Sequence, residues 1–307
     1  SHSGSDGTTS FSANARALAR NWSCSSVNSV RRMLRTVPAP VGATPPAHRR
    51  YGRSVARTVV VLAGGDPPVA PPPLPPADLV VAADGGAARA APLGLTVDVV
   101  VGDLDSIAPD HLDELRAAGA RVEAHHPDKD ATDLDLALAT ALRTLDHGAE
   151  GGARTAAGVA ADADVNSGGR GEPGRVVLVG GHGGRLDHHL ATFAALAAVA
   201  APGRRIEAWL GAAQVLVVAD RREVPGRPGE LVSLLALGGP VSGVTTEGLR
   251  WPLVDFDLPS TSTLGVSNEI VTSPTSVSVT GGVLAVVRPH ALTPERDEPR
   301  RVPDRAS

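Results

Sequence analysis

Three short runs of mainly apolar residues, each followed by glycine and aspartate, constrain the fold of this chain more than any other feature of its sequence. The runs cover residues 59–63, 79–83 and 97–101. Apolar runs of this length are typical of strands that are buried on both faces of a parallel sheet. The carboxyl ends of parallel strands meet at one edge, where open α/β sheets bind their ligands. We therefore expect the residues that follow the three runs to form one binding edge.

Strand and helix patterns alternate up to about residue 220. Helices are expected at 87–93, 109–118 and 134–145, and in a later segment that carries Leu186, Leu190, Phe193 and Ala197 on one face. Further strands are expected at 121–124, 176–179, 206–210 and 215–218. The alternation predicts an α/β fold with a Rossmann-like, mostly parallel sheet and flanking helices.

The pattern becomes all-β after Asp220. Apolar runs at 231–235, 241–245, 277–279 and 283–287 are separated by Gly, Pro, Ser and Thr. Short strands with such turns suit a small antiparallel β-sandwich. We expect an α/β domain at residues 58–220 and a β-sandwich domain at 221–290.

Three segments lack these patterns. Residues 1–57 are rich in Arg and Ser and contain a single acid, Asp6. We expect a disordered leader there, although leaders of this composition also resemble organellar transit peptides. Residues 148–174 are rich in Gly, Ala and Asp, which predicts a flexible insertion. Residues 291–307 are charged and Pro-rich, which predicts a flexible tail.

Composition excludes several classes of protein. The chain of 307 residues has a formal net charge of −4, so no basic field favours nucleic acid or an anionic membrane. Its single cysteine, Cys24, excludes an intramolecular disulfide framework and any metal site with several cysteines. No apolar run approaches the roughly 20 residues of a membrane-spanning helix. We expect partners that are neither nucleic acid nor membrane.

Aspartates recur at the predicted junctions between strands and helices. They are Asp84, Asp103, Asp105, Asp130, Asp133 and Asp187. Carboxylates that converge on one edge repel one another and raise each other's pKa values. A hard cation such as Mg²⁺ removes this conflict, because it binds oxygen ligands and is commonly held by one or two carboxylates together with phosphates. Since glycine-rich turns let backbone N–H groups approach phosphate oxygens, this edge predicts metal–phosphate chemistry.

Each of these residues also has a purely structural interpretation. Asp105 or Ser106 could cap one helix, and Thr132 or Asp133 could cap the next. Asp187 could complement the dipole of a third helix. Six such positions on one edge nevertheless favour a site over isolated caps.

Lys129 and three residues of the β region have two interpretations as well. Lys129 is a candidate phosphate ligand, but a lysine among acids is more often a solvated surface pair. Trp251 could be an ordinary core residue, or it could offer a flat face to an aromatic cation. Ser267 and Asn268 could bind a heterocycle or form a turn.

Six short segments follow one another in an informative order. They are Asp84-Gly85-Gly86, Gly102-Asp103-Leu104-Asp105-Ser106, Lys129-Asp130-Ala131-Thr132-Asp133, Gly184-Arg185-Leu186-Asp187-His188, Gly248-Leu249-Arg250-Trp251-Pro252-Leu253 and Ser267-Asn268-Glu269. Their order, their spacing and their division between an α/β half and a β half resemble the thiamine pyrophosphokinase family. The resemblance covers roughly residues 58–290 and is specific as a set, whereas a single tripeptide would not be.

The resemblance implies an enzyme, an ATP:thiamine diphosphotransferase. It implies transfer of the pyrophosphoryl group of ATP to the hydroxyethyl oxygen of thiamine, which gives thiamine diphosphate and AMP. It implies Mg²⁺ as cofactor, a cytoplasmic homodimer, and an active site between the α/β domain of one subunit and the β-sandwich of the other.

Individual roles follow from the same resemblance. The implied catalytic residues are Asp84, Asp103 and Asp105, which would hold Mg²⁺–ATP, and Asp133, which would support them. The implied ATP-binding residues are Gly85, Gly86, Ser106, Lys129, Thr132 and Arg185. The implied thiamine-binding residues are Asp187, Trp251, Ser267 and Asn268, the last three from the partner subunit.

Three alternatives remain open at this point. The acceptor could be another heterocyclic alcohol, such as a hydroxymethylpterin. The chain could be a non-catalytic sensor of thiamine or nucleotide, although a sensor would not need Asp84, Asp103 and Asp105 together. It could also be a Mg²⁺-dependent phosphohydrolase, which would release phosphate without any requirement for thiamine.

Overall fold

The computed structural model describes residues 58–150 and 174–293. The predicted leader, most of the predicted insertion and the end of the predicted tail lie outside these residues. Within them, no helix is long and apolar enough to cross a membrane.

Six strands form the parallel part of the sheet. They are β1 (Thr58–Leu62), β2 (Leu79–Ala83), β3 (Val99–Gly102), β4 (Arg121–Ala124), β5 (Arg175–Val179) and β6 (Arg205–Leu210). Their order is β4-β3-β2-β1-β5-β6, and every neighbouring pair is parallel. The chain moves outward from β1 to β4 and then returns to place β5 on the other side of β1. This reversal is a topological switch point, at which α/β sheets open a crevice for ligands.

Helices cover this sheet. They are α1 (Pro109–Ala117), α2 (Asp133–Glu150) and α3 (Leu186–Val199). The short helix expected at 87–93 is instead two 3-10 helices, Asp84–Arg89 and Ala91–Leu93, the second with Pro92 in its first turn. Helix α2 extends to Glu150 and so includes the first three residues of the predicted insertion.

The remaining strands are antiparallel. They are β7 (Ala213–Val218), β8 (Arg221–Val224), β9 (Leu231–Glu247), β10 (Phe256–Leu258), β11 (Asn268–Glu269), β12 (Thr275–Ser278) and β13 (Gly281–Arg288). The two runs expected at 231–235 and 241–245 belong to the single strand β9, whose pairing with β13 shifts register opposite Gly238–Pro240. β9 pairs with β13 over one part and with β12 near its end, and β7–β13 enclose one apolar core. The expected antiparallel half is thereby confirmed.

The face expected for α3 is wrong. Its buried side consists of Thr192, Ala195, Leu196 and Val199, whereas Leu186 is 70% and Leu190 60% exposed. Helix α3 is apolar around most of its circumference, so the sequence does not mark a single inward face. The structure buries Leu196 and Val199 together with the smaller Thr192 and Ala195.

The first residues of the expected tail are packed. Ala291 and Leu292 lie against the core of the α/β half, and the backbone N–H of Leu292 donates to the carbonyl of Ala212 at 3.0 Å. The expectation of a flexible tail is therefore wrong for residues 291–293.

Two leucines of α3 test its orientation. Leu196→Ala should lower the free energy of unfolding by about 2–5 kcal/mol, because it opens a cavity in a filled core. Leu190→Ala should change it by less than about 0.5 kcal/mol, because that side chain is largely exposed. Equilibrium urea denaturation of both variants decides; equal losses would contradict the observed face.

Candidate active site

Three carboxylates meet at the carboxyl ends of β2 and β3. Asp84 directly follows β2, and Asp103 and Asp105 follow β3. One oxygen from each lies within 4.8 Å of the others. The predicted convergence of these three acids is thus present in the structure, whereas Asp130 is exposed and lies outside the cluster.

Asp84 is the buried member of the cluster. Its side-chain oxygen Oδ1 has no hydrogen-bond partner among the described residues. Burial raises the pKa of Asp84 above its ordinary value, and the charges of Asp133 and Asp105 add to this effect. A buried carboxylate oxygen without a partner is costly, and none of the described residues offsets this cost at Oδ1.

Gly102 makes room for the acids. A Cβ atom at this position would lie 3.0 Å from the Cβ of Asp84 and 3.0 Å from Oδ1 of Asp133, and its φ of +153° is one that residues with side chains rarely adopt. A glycine at the end of β3 therefore lets carboxylates of β2 and α2 approach each other.

Lys129 bridges two of the acids. Its Nζ lies 3.1 Å from Oδ2 of Asp103 and 2.8 Å from Oδ1 of Asp133. Burial alone would lower the pKa of Lys129, but the hydrogen bonds and charges of Asp133 and Asp103 outweigh it and raise the pKa. The same contact holds the pKa of Asp103 below its usual value. The side chain of Lys129 is 16% exposed, so it is not the solvated surface pair that the sequence left open.

Ser106 and Thr132 bond to neighbouring acids. The Ser106 hydroxyl donates to Oδ1 of Asp105 at 2.9 Å. Thr132 caps α2: its hydroxyl accepts from the backbone N–H of Asp135 at 3.2 Å, and its own backbone N–H donates to the Asp135 carboxylate at 3.0 Å. This reciprocal arrangement is a capping box. The capping interpretation of Thr132 is confirmed, and its contact with phosphate stays a prediction.

Arg185 and Asp187 form an exposed pair where α3 begins. Arg185 donates to both carboxylate oxygens of Asp187, at 3.2 and 2.6 Å. The hydrogen bond from Arg185 lowers the pKa of Asp187 to about 2. Asp187 is therefore ionised at neutral pH.

Sequence reasoning missed Arg89, which joins two glycine-rich loops at the switch point. Its Nε donates to the carbonyl of Ala63 at 2.7 Å, and its guanidinium also bonds to the carbonyl of Gly65. The loops after β1 and β5 contact directly, since the N–H of Gly181 donates to the carbonyl of Gly64 at 2.8 Å. Nothing local in the sequence marks Arg89, because its partners are main-chain atoms that become neighbours only in the folded sheet.

In the antiparallel half, Trp251 is 57% exposed, which excludes the core interpretation. The guanidinium of Arg250 lies 5.7 Å from the centroid of its indole and pairs with Glu269 at 2.7 Å. Ser267 is exposed and has a positive φ of 60°. Asn268 is buried, at 4% exposure.

The acidic cluster and Trp251 belong to distant parts of the sheet. The acids follow β2 and β3, while Trp251 follows β9, and six steps between neighbouring strands separate β2 from β9. At about 4.8 Å a step, this is roughly 29 Å along the sheet. The structure of one chain therefore does not unite the two groups of predicted site residues.

Two family models match the chain over these regions. Residues 74–208 match the catalytic domain of thiamin pyrophosphokinase, and residues 219–284 match its vitamin B1 binding domain. The chain belongs to the thiamin pyrophosphokinase family.

Solved structures of this family share the fold. The chain is 21% identical to thiamine pyrophosphokinase from Bacillus subtilis, with a TM-score of 0.58 over 76% of this chain and 98% of that one. It is 14% identical to thiamin pyrophosphokinase from Candida albicans, with a TM-score of 0.56 over 80% and 96%. For the Geobacillus thermodenitrificans protein the values are 23%, 0.52, 75% and 96%. Comparison with curated protein sequences gave no significant match.

Membership confirms the predicted family, fold class and enzyme class, that of a thiamine pyrophosphokinase. A pterin-specific enzyme and a silent sensor are not favoured, since both a catalytic and a vitamin-binding domain match. The roles of individual residues stay predictions.

Replacing Asp84 should stabilise the fold and abolish activity. Replacement by Asn keeps the shape and tolerates its positive φ of 43°, but removes a charge that burial disfavours. We expect Asp84→Asn to raise the free energy of unfolding by about 1 kcal/mol without Mg²⁺ at neutral pH, and to abolish activity. Urea denaturation and an activity assay measure the two effects.

The stabilisation expected from Asp84→Asn should depend on pH. Because the pKa of Asp84 is raised, the ionised form destabilises the fold, and this penalty disappears as pH falls through the raised pKa. The gain from Asp84→Asn should shrink at acid pH. Asp128→Asn is the matched control, since that side chain is 95% exposed; an equal gain there would refute the argument.

Proposed function

We propose that the chain uses ATP as pyrophosphoryl donor to thiamine and that Asp84, Asp103 and Asp105 hold the Mg²⁺ ion that this reaction needs. The observation that carries the proposal is the convergence of three carboxylates within 4.8 Å, one of which contributes a buried oxygen without a partner. Family membership supplies the reaction; the geometry of the cluster supplies the assignment of residues.

The cluster fits a hard divalent cation. All donors are carboxylate oxygens, the ligand type that Mg²⁺ prefers, and the cluster opens outward through the exposed Asp105, which leaves room for phosphate oxygens and water. Mg²⁺ bound there supplies positive charge to phosphate oxygens and offsets the repulsion among the acids.

The chain's own cations complete the charge balance. Lys129 stands beside Asp103, where it is placed to contact a phosphate bound at the cluster, and Asp133 restrains it. Arg185 lies at the start of α3 as a second phosphate ligand. Transfer of this kind requires positioning and neutralisation of charge more than covalent catalysis.

Smaller contacts orient the donor. We assign Ser106 and Thr132, with the backbone N–H groups of Gly85 and Gly86, to the phosphates of ATP. Gly86 packs so closely on the carbonyl of Leu62 that no side chain fits, which keeps this turn against the sheet. The hydroxyethyl oxygen of thiamine would then attack the β-phosphorus and release its proton to solvent, while the bond from the β-phosphorus to the oxygen it shares with the α-phosphate breaks and AMP leaves with that oxygen.

Thiamine binding is assigned to Asp187 and to a wall that exposes Trp251 and Ser267, with the buried Asn268 bonded to the main chain of Trp251 behind it. Asp187 exposes its carboxylate beside Arg185, and carboxylate oxygens can accept hydrogen bonds from an amino group. Trp251 exposes its indole, and a flat aromatic face suits a heterocycle beside a cation.

A homodimer would join the two halves of this site. Roughly 29 Å along the sheet separate the acids from Trp251 within one chain, so the wall of a second chain has to face the acids of the first. Exposed apolar side chains in the antiparallel half support this arrangement. They are Val254, Phe256, Leu264 and Val266.

We propose further that the two domains divide between residues 220 and 221 and that the protein is cytoplasmic. Cell fractionation tests the location.

A product assay tests the reaction. Purified protein with Mg²⁺–ATP and thiamine should form AMP and thiamine diphosphate in equal amounts, quantified by chromatography. AMP formed only with a pterin alcohol would change the acceptor. Free phosphate without any thiamine requirement would indicate hydrolysis.

Substitution of Asp103 and Asp105 tests the metal assignment. Asp103→Asn and Asp105→Asn should each abolish turnover while leaving the fold intact, because each removes a metal ligand. Initial rates at saturating Mg²⁺, with circular dichroism as the folding control, measure this. Near-normal activity of both variants would end the metal assignment.

Substitution of Trp251 tests the proposed stacking role. Trp251→Ala should raise the KM for thiamine far more than the KM for ATP, because it removes the stacking face and nothing near the phosphates. Steady-state kinetics with each substrate varied in turn separates the two constants. Equal effects on both would remove the stacking role.

A further inference from the structure

Asn268 faces the main chain of Trp251 and not the solvent. Its Nδ2 donates to the carbonyl of Trp251 at 2.8 Å, and its Oδ1 accepts from the N–H of Trp251 at 3.1 Å. The same oxygen accepts from the N–H of Glu269 at 2.8 Å. Both acceptor positions of the amide oxygen are therefore occupied. With 4% of the residue exposed, Asn268 has little capacity left for a ligand.

The register of the chain explains why a side chain does this work. Leu249 and Ile270 form an antiparallel bridge, and the N–H of Arg250 donates to the carbonyl of Glu269 at 2.9 Å. The next step of this ladder would set Trp251 opposite Asn268. The backbone of Asn268, however, pairs with Val232 of β9, and the chain turns away at Ser267 with a positive φ. In an antiparallel ladder the pair that follows a hydrogen-bonded pair has no backbone bonds between its two members. The carboxamide of Asn268 therefore supplies the contact to the Trp251 main chain, donating and accepting as a peptide group does.

Trp251 is thus fixed at its main chain and exposed at its indole. An exposed aromatic residue without such support would have to be ordered when a ligand binds, at a cost in affinity. We propose that Asn268 is a positioning residue, whose carboxamide clamps the main chain of Trp251 so that the indole is held ready for the thiamine ring, and which does not itself touch thiamine. The inference rests on the proposed role of Trp251 in thiamine binding.

A double-mutant cycle distinguishes positioning from direct contact. Asn268→Ala should raise the KM for thiamine about three- to ten-fold, with kcat and the KM for ATP unchanged. In the Trp251→Ala background the same substitution should change that KM by less than about two-fold, because the side chain it positions is gone. An undiminished effect in that background would show direct contact and overturn the proposal.

A measurement without substrate keeps this test separate from the proposed function. Protein labelled with 5-fluorotryptophan gives a ¹⁹F resonance for Trp251, assigned by its loss in Trp251→Phe. Asn268→Ala should shift and narrow this resonance, because the indole gains mobility, and should leave the buried Trp209 resonance in place. An unchanged Trp251 resonance would overturn the clamp even if thiamine is the substrate. An altered resonance in a protein that does not turn over thiamine would preserve the clamp and end the proposed function.

Two further variants complete the design. Asn268→Asp keeps the shape and the acceptor but loses the donor to the Trp251 carbonyl, so it should shift the resonance in the same direction and serves if the alanine variant does not fold. Ser262→Ala is the matched control, because the Ser262 hydroxyl also accepts from a main-chain N–H, that of Leu264, without contacting Trp251. A shift of the Trp251 resonance equal to that of Asn268→Ala in this control would contradict a specific clamp.

Discussion

Repulsion among the carboxylates at the ends of β2 and β3 is the constraint on which the site depends. Parallel strands bring Asp84 and Asp103 together, and burial disfavours the charge of Asp84. The structure meets the constraint in two ways. Lys129 is held between Asp103 and Asp133, and Gly102 leaves room for the acids to sit side by side. The remaining charge is the feature that suits the edge to a divalent cation and phosphates.

The thiamine-binding half works on the opposite principle. The surface assigned to thiamine is apolar and exposed, and hydrogen bonds hold the main chain behind it. Asn268 and the Arg250–Glu269 pair hold the main chain around Trp251, and its indole is exposed to solvent. We infer that compensating charges preorganise the charged site and that main-chain hydrogen bonds preorganise the proposed aromatic wall.

The two halves depend on each other through the topology of the sheet. β6 and β7 form an antiparallel pair, which continues the parallel part of the sheet into the antiparallel strands and fixes the acids and Trp251 six strand steps apart. This continuity gives each chain both parts of the site and keeps them separate. It is the structural basis for proposing that two chains share each active site.

Most strands were predicted within two residues, because long apolar runs between glycines leave few alternatives. Each error has its own cause. In α3, alanine and leucine occur on all sides, so the buried face was misassigned. In β9, glycine and proline at 238–240 suggested a break where the strand bends. Residues 291–293 looked like a tail because their partners lie far away in sequence.

The sequence by itself determined which chemistry is present: the acids at strand ends, the glycine that admits them, the solitary lysine and the tryptophan, in an order that identifies the family. Those properties concern residue types and the order of motifs, so they can be read from the sequence without knowing the fold. Only the tertiary structure decided which of these residues meet. It pairs Lys129 with Asp103 across 26 positions, turns Arg89 onto two loops, and places Asn268 behind Trp251. Such contacts depend on strand order and register, which bring together atoms whose separation along the chain carries no trace of their proximity.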